Sequence, residues 1–275
     1  IQETEYLSTV VWLLLAAALV FFMQAGFGLV EAGSCREKNV LSILTKNQVD
    51  VIVGSIMWYS VGYGIAFGDA EPTGGLIGTT GFMGATLFEG SEVSVNMLHF
   101  HFQWSFCSVA ATIVSGGVAE RLSLKGYVVF VMVMTGLIYP TVVAWTWGDD
   151  GWLTDRGFYD FAGSSVVHVT GGFSALFGAI MAGPRAGRFV SEESWQFAPH
   201  NVPYIVVGTL ILWFGWYGFN CGSSGGMETP EHAQQAVAAA VATTFGAVGG
   251  GLCTVAMQMI RSQRFDVPAV CNGLL

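Results

Sequence analysis

With 11% charged and 53% hydrophobic side chains, the 275-residue chain carries about half the charge of an ordinary soluble domain. That excludes a soluble globular fold, which would need more polar cover, and a formal net charge of -9 offers no basic surface for nucleic acid. The five cysteines, Cys35, Cys107, Cys221, Cys253 and Cys271, lack metal-ligand spacing and read as small packing residues, so neither metal nor cofactor is expected.

In chain order, apolar stretches of about the 20 residues needed to cross a bilayer lie near residues 9–29, 49–67, 100–118, 127–145, 161–182, 204–222 and 235–260. Residues 268–275 open an eighth. Each is apolar all round, whereas barrel strands would be shorter and alternate in polarity. The expected fold class is therefore all-α, a polytopic membrane helix bundle. Apart from an outer loop at 68–98 the connections are short, and no linker or low-complexity tract interrupts them, which predicts one membrane domain over 1–275.

Arg36, Lys38 and Lys46 follow the first span, Arg121 and Lys125 the third, Arg185 and Arg188 the fifth, Arg261 and Arg264 the seventh. Nine of the ten basic residues thus fall on alternate loops, Arg156 being the exception. Positive charge is retained on the cytoplasmic side, so the amino terminus, with Glu3 and Glu5, is expected outside, in a cell membrane. The outer loops then hold Asp69, Glu71, Glu89, Glu92, Glu228 and Glu231. Such an acidic face either concentrates cations or reflects the tolerance of external loops for acids. A start at Ile1 rather than Met is what a removed signal peptide, or a fragment, would give.

Thirty-seven glycines, among them Gly171-Gly172 and Gly249-Gly250-Gly251, suit close approach of membrane helices. A short echo links Gly26-Phe27 through Gly33-Ser34 with Gly218-Phe219 through Gly222-Ser223. The two segments run in opposite directions, as inverted repeats with a substrate path at their interface would.

Two ionisable groups mark the fifth span, Asp160 at its outer edge and His168 within it. Such groups are costly in a membrane and mark a functional path by default. Asp160 also suits a helix N-cap, and His168 could serve packing by bonding a neighbouring helix. At helical rise His168 is expected about 12 Å below Asp160. Topology brings Phe102, Phe106, Trp147, Phe219 and Ser223 to the level of Asp160. Aromatic faces attract a small cation and a hydroxyl accepts its N–H; an interfacial aromatic belt is the other account of the same rings.

The stretch Asp160-Phe161-Ala162-Gly163-Ser164-Ser165-Val166-Val167-His168, continuing to Gly183-Pro184-Arg185, resembles the signature of the ammonium transporter (Amt/Mep/Rh) family. So do Gly26-Phe27 with Glu31-Ala32-Gly33-Ser34, Lys38-Asn39, Phe102-Gln103-Trp104-Ser105-Phe106, Ala119-Glu120-Arg121 and Trp216-Tyr217-Gly218-Phe219-Asn220, in an order closer to the Amt branch than to Rhesus proteins. The resemblance implies that Trp147, Phe106 and Ser223 form an outer ammonium recruitment site supported by Asp160. Phe106 and Phe219 would stack as a gate, and His168 and Trp216 would line the pore. It implies ammonium or ammonia as substrate, methylammonium as analogue, a lipid bilayer around the chain, a homotrimer with one pore per subunit, and no enzyme activity.

Family members have eleven spans, so the resemblance makes 1–182 a complete five-helix repeat and 203–275 part of a second, inverted one. The family's histidine partner for His168 lies on the tenth span, beyond these residues. A longer functional chain, or another subunit covering spans one, three and five, is expected to supply it. A non-conducting ammonium-sensing or structural membrane subunit is the alternative to a transporter. A seven-helix retinal protein is disfavoured because the seventh span has no lysine for a Schiff base.

Overall fold

The structure is a computed structural model that describes residues 2–88, 93–192 and 194–275. Glu89 and Glu92, expected among the outer acids, lie outside the described residues, as does the Glu3 side chain. Regular structure among the described residues is helical. The α-helices are α1 (Gln2–Ser34), α2 (Val40–Met57), α3 (Tyr63–Phe67), α4 (Val93–Gly117), α5 (Leu124–Val133), α6 (Tyr139–Thr146), α7 (Thr170–Ala182), α8 (Val202–Trp216), α9 (Pro230–Arg261) and α10 (Val267–Leu274). Wider π turns join α2 to α3 (Trp58–Gly62) and α5 to α6 (Met134–Ile138), precede α7 (Ser164–Val169) and follow α8 (Tyr217–Cys221).

Joined through these turns, six helices among the described residues are long and apolar enough to cross a membrane: Thr4–Ser34, Glu37–Phe67, Leu124–Thr146, Ser164–Ala182, Trp195–Cys221 and Pro230–Arg261. The expected third span is α4. Its 25 residues suffice in length, but Asn96, His99, His101 and Gln103 dilute its apolar content and keep it out of that set. The expected eighth span begins as α10. Lys46, expected in a loop, instead lies inside α2 and is 2% exposed.

The helices pack as two compact units, one of Ile1–Thr45, Ala119–Arg121 and Gly183–Leu275, the other of Lys46–Val118 and Leu122–Ala182. In the first unit α1 crosses α8 at glycines. A Cβ on Gly208 would stand 2.7 Å from the Gly26 carbonyl oxygen, so only a bare backbone lets the two helices approach this closely. The turn after α8 is tied to α9 by Tyr217 Oη to Thr244 Oγ1 at 2.7 Å and by Asn220 Nδ2 donating to Thr243 Oγ1 at 2.8 Å.

In the second unit α4 packs on α7 and α3 on α6. Trp58, Tyr127, Tyr139 and Phe106 are among its fully buried side chains. Outward-facing residues of α7 such as Phe177 and Met181 are exposed, as expected where lipid replaces water.

Candidate functional site

The second unit builds a polar turn around Asp160, which is 9% exposed. One carboxylate oxygen accepts the N–H groups of Gly163 (2.8 Å) and Ser164 (3.1 Å), the other those of Ser165 and Val166 (2.8 Å each). These are the donors that the start of a helix leaves unpaired, and an anion there also meets the positive end of the helix dipole. The chain can wrap the carboxylate because Gly163 takes φ +95°, a left-handed conformation that favours glycine. A Cβ at Gly163 would also crowd Val167 (2.7 Å) and Trp147 (3.2 Å).

The unbroken helix assumed between Asp160 and His168 is interrupted: residues 161–163 are not helical and Ser164–Val169 is a π turn. His168 Nδ1 lies 3.3 Å from the Gly163 carbonyl oxygen. With Nδ1–H donating there, Nε2 is the acceptor nitrogen.

Trp147 ends α6, and its indole N–H donates to the Asp160 carbonyl at 2.8 Å. Its ring meets Phe106 edge-on, 6.1 Å between centroids at 76°, and Phe106 in turn packs against Phe102 at 4.8 Å. Phe106, Trp147, Asp160 and His168 are therefore linked through shared contacts of one unit.

Trp216, Phe219 and Ser223 belong to the first unit, at the carboxyl end of α8 and the π turn beyond it. Phe219 is 1% exposed. The Ser223 hydroxyl donates to the Phe219 carbonyl at 2.8 Å, which commits its proton and leaves its oxygen as an acceptor. Nearby, Thr9 Oγ1 donates to Glu228 Oε2 at 2.6 Å and His232 Nδ1 lies 3.0 Å from Glu228 Oε1. The Thr9 hydroxyl bond holds the Glu228 carboxyl below its ordinary value.

Sequence reasoning quoted Ala119-Glu120-Arg121 without giving Glu120 a role. Its carboxylate is fully buried in the first unit. Oε1 accepts from Arg36 N (3.1 Å), Arg36 Nε (2.8 Å) and Asn39 Nδ2 (2.6 Å), while Oε2 pairs with Arg185. The Arg36 and Arg185 guanidinium groups lie 4.5 and 5.0 Å above the Phe197 ring. Burial alone would raise the Glu120 pKa, but the bonds from Arg36, Asn39 and Arg185 outweigh it and hold it at about 2. The signal in the sequence was an acid immediately before a basic residue at a span end, with arginines after the first and fifth spans.

Long apolar helices, joined by π turns and lined with few buried ionisable groups, define an integral, multi-pass α-helical membrane protein. The model of the Ammonium Transporter Family matches residues 11–275. Ammonium transporter Amt2 of Archaeoglobus fulgidus is 40% identical over 274 residues, 96% of this chain and 56% of that protein. Ammonium transporter 1 member 3 of Solanum lycopersicum is 38% identical over 284 residues, 96% of this chain and 60% of that one. Among solved structures, one described as a sensor Amt protein superposes with a TM-score of 0.92 at 33% identity, covering 100% of this chain and 67% of its own. Saccharomyces cerevisiae Mep2 superposes with a TM-score of 0.86 at 30% identity, covering 98% and 59%. The chain belongs to the ammonium transporter family. It spans less than two thirds of the length of these curated relatives.

Proposed function

We propose that the protein carries ammonium across a cell membrane as ammonia, from an amino-terminal side that faces outward. In this reading Trp147, Phe106 and Ser223 recruit the ion, with Asp160 holding the recruitment site in shape. Phe106 and Phe219 gate the path below, and His168 and Trp216 line the pore. The assembly is a homotrimer with one pore per subunit, and 1–182 and 203–275 stand as inverted repeats.

The observation that carries the reading is the Asp160 wrap. The Asp160 carboxylate takes four backbone N–H groups while the Asp160 backbone carbonyl accepts the Trp147 indole N–H, and that indole meets Phe106 edge-on. A rigid aromatic wall suits a small cation, and a hydroxyl acceptor suits ammonium in particular, which differs from potassium in donating directional hydrogen bonds. Passage of the bare ion through an apolar pore costs many kcal/mol, and neutral ammonia costs little. Deprotonation near the gate follows.

Labelled methylammonium uptake into liposomes holding the full-length protein tests this. Uptake that saturates with ammonium competition, and falls in Trp147→Leu, is expected. Folded protein that gives no uptake above empty liposomes refutes it. The likeness to a sensor Amt protein favours one second reading, an ammonium-sensing subunit, which would bind ammonium without flux.

A further inference from the structure

We propose that Thr9 and Trp12 of α1 are positioning residues for ammonium recruitment, which hold the turn that presents Ser223. The proposal rests on the reading of Ser223 as the hydroxyl acceptor of the recruitment site, and adds to it two residues of the first helix that act on the ion only through Ser223. All of the groups involved belong to the first unit.

Ser223 stands in the connection between the π turn Tyr217–Cys221 and α9, which begins at Pro230. Connections of this kind are more mobile than the helices they join, whereas a hydrogen-bond acceptor is useful only where its lone pairs point at the donor. The turn is closed by Ser224 N donating to the Cys221 carbonyl (3.1 Å) and Gly225 N to the Gly222 carbonyl (3.0 Å), with Gly225 at φ +80°. The Ser223 hydroxyl gives its proton to the Phe219 carbonyl, so the direction its oxygen presents follows the placing of this turn. Before Ser223, α9 holds the chain through Asn220 and Thr243. After it, the hold comes from α1.

Trp12 Nε1 donates to Ser224 Oγ at 3.2 Å, and Ser224 Oγ in turn donates to the Gly226 carbonyl at 2.9 Å. The relay is sheltered, since Ser224 is 5% exposed. Thr9 lies three residues before Trp12 on the same face of α1 and donates to Glu228 Oε2 at 2.6 Å. Two donors on one helix face thus grip two acceptors four residues apart in the connection. Between the acceptors, a Cβ on Gly226 would stand 2.9 Å from Thr9 Oγ1 and nearer still to the Glu228 carboxylate, so the chain passes α1 with no room for a side chain there. Ser223 is therefore bracketed, by α9 through Asn220 and by α1 through its neighbour Ser224. Loosening the α1 side would shift the acceptor without removing it. Recruitment should then weaken while the steps after it keep their rate, because misplacement of a binding group acts where the ion is first held.

The test is the concentration dependence of labelled methylammonium uptake into liposomes holding the full-length protein. Trp12→Phe keeps an aromatic ring and removes the N–H; Thr9→Val keeps the shape and removes the hydroxyl. Each should raise the half-saturating concentration about two- to tenfold, the span of one lost hydrogen bond, at an unchanged maximal rate. Thr9→Ser should restore the parent's value, and Trp12→Phe should add nothing in a Ser223→Ala background. An unchanged half-saturating concentration in both folded variants, a maximal rate that falls instead, or full additivity with Ser223→Ala overturns the proposal. Should one of the two variants not fold, the other decides, since each removes one donor by itself. Uptake weakened by Ser223→Ala but indifferent to Trp12→Phe and Thr9→Val refutes the positioning role alone, whereas uptake indifferent to Ser223→Ala refutes the recruitment role of Ser223 and the positioning role with it.

Discussion

Replacing Glu120 by Gln tests how much one buried carboxylate holds the first unit together. Its pKa is lowered from 4.5 to about 2. At about 1.4 kcal/mol per unit, the ionised form is favoured in the fold by about 3 kcal/mol. The side chain is fully buried, so little of this is lost to solvent screening. Because the folded pKa is depressed, this stabilisation is complete above about pH 4.5 and disappears as pH falls towards about 2.

Glu120→Gln keeps the shape of the side chain but leaves Arg36 and Arg185 close together over Phe197 without their anion. The variant should therefore be less stable at neutral pH by about 3 kcal/mol, the ionised carboxylate's share of the clasp, with two part-exposed arginines left facing each other. Between pH 4.5 and 2 it should also lose less stability than the parent. Denaturant unfolding in detergent, read by tryptophan fluorescence at several pH values, measures both differences. Glu120→Gly separates the backbone term, because Glu120 sits at φ +63° and glycine relieves about 1 kcal/mol of strain there. If Glu120→Gln is as stable as the parent at neutral pH and loses the same amount on acidification, the carboxylate is not the clasp described.

Trp147→Leu should weaken ammonium recruitment by about 2 kcal/mol, about thirty-fold at low concentration, with an unchanged unfolding midpoint; uptake against ammonium concentration reads it. Asp160→Ala leaves four backbone donors without their acceptor and should cost at least about 1 kcal/mol of stability, so that folded yield and uptake fall together. Gly208→Leu must push α1 from α8, because even a Cβ would stand 2.7 Å from the Gly26 carbonyl; a drop of about 1–3 kcal/mol or loss of folded protein is expected in the same unfolding assay.

Membrane spans were legible because continuous apolarity is a local property, readable without knowing what a helix touches. Asp160 and His168 were legible for the converse reason, since an ionisable group in such a stretch stands out. The course of the chain between them was not. A uniform rise of 1.5 Å assumes an unbroken helix, and Gly163 at φ +95° with a π turn after it interrupts the helix where the expectation was drawn. The limited apolarity of α4 has a related cause. Two of its polar side chains are committed to partners outside the helix, His99 to Tyr63 at 2.9 Å and Asn96 to the Thr86 carbonyl at 3.1 Å, and a window of residues sees only their polarity.

Lys46 shows the same limit from the other side. Counting basic residues treats each lysine as a loop charge, yet a lysine can lie in a helix when a carbonyl and an aromatic face meet it there. Those groups, the Leu122 carbonyl and the Tyr127 ring, come from the connection before α5 and from α5. The Tyr127 to Asp50 bond spans 77 residues and the Arg185 to Glu120 bond spans 65. Sequence therefore located the ionisable groups that stand alone in apolar runs, and overlooked Asp50 and Glu120, whose meaning depends on partners that only folding brings near. The same distinction separates the tests: loss of Trp147 acts on the surface proposed to receive the ligand, whereas loss of Glu120 acts on a charge balance set by distant segments and must register in the pH dependence of the fold.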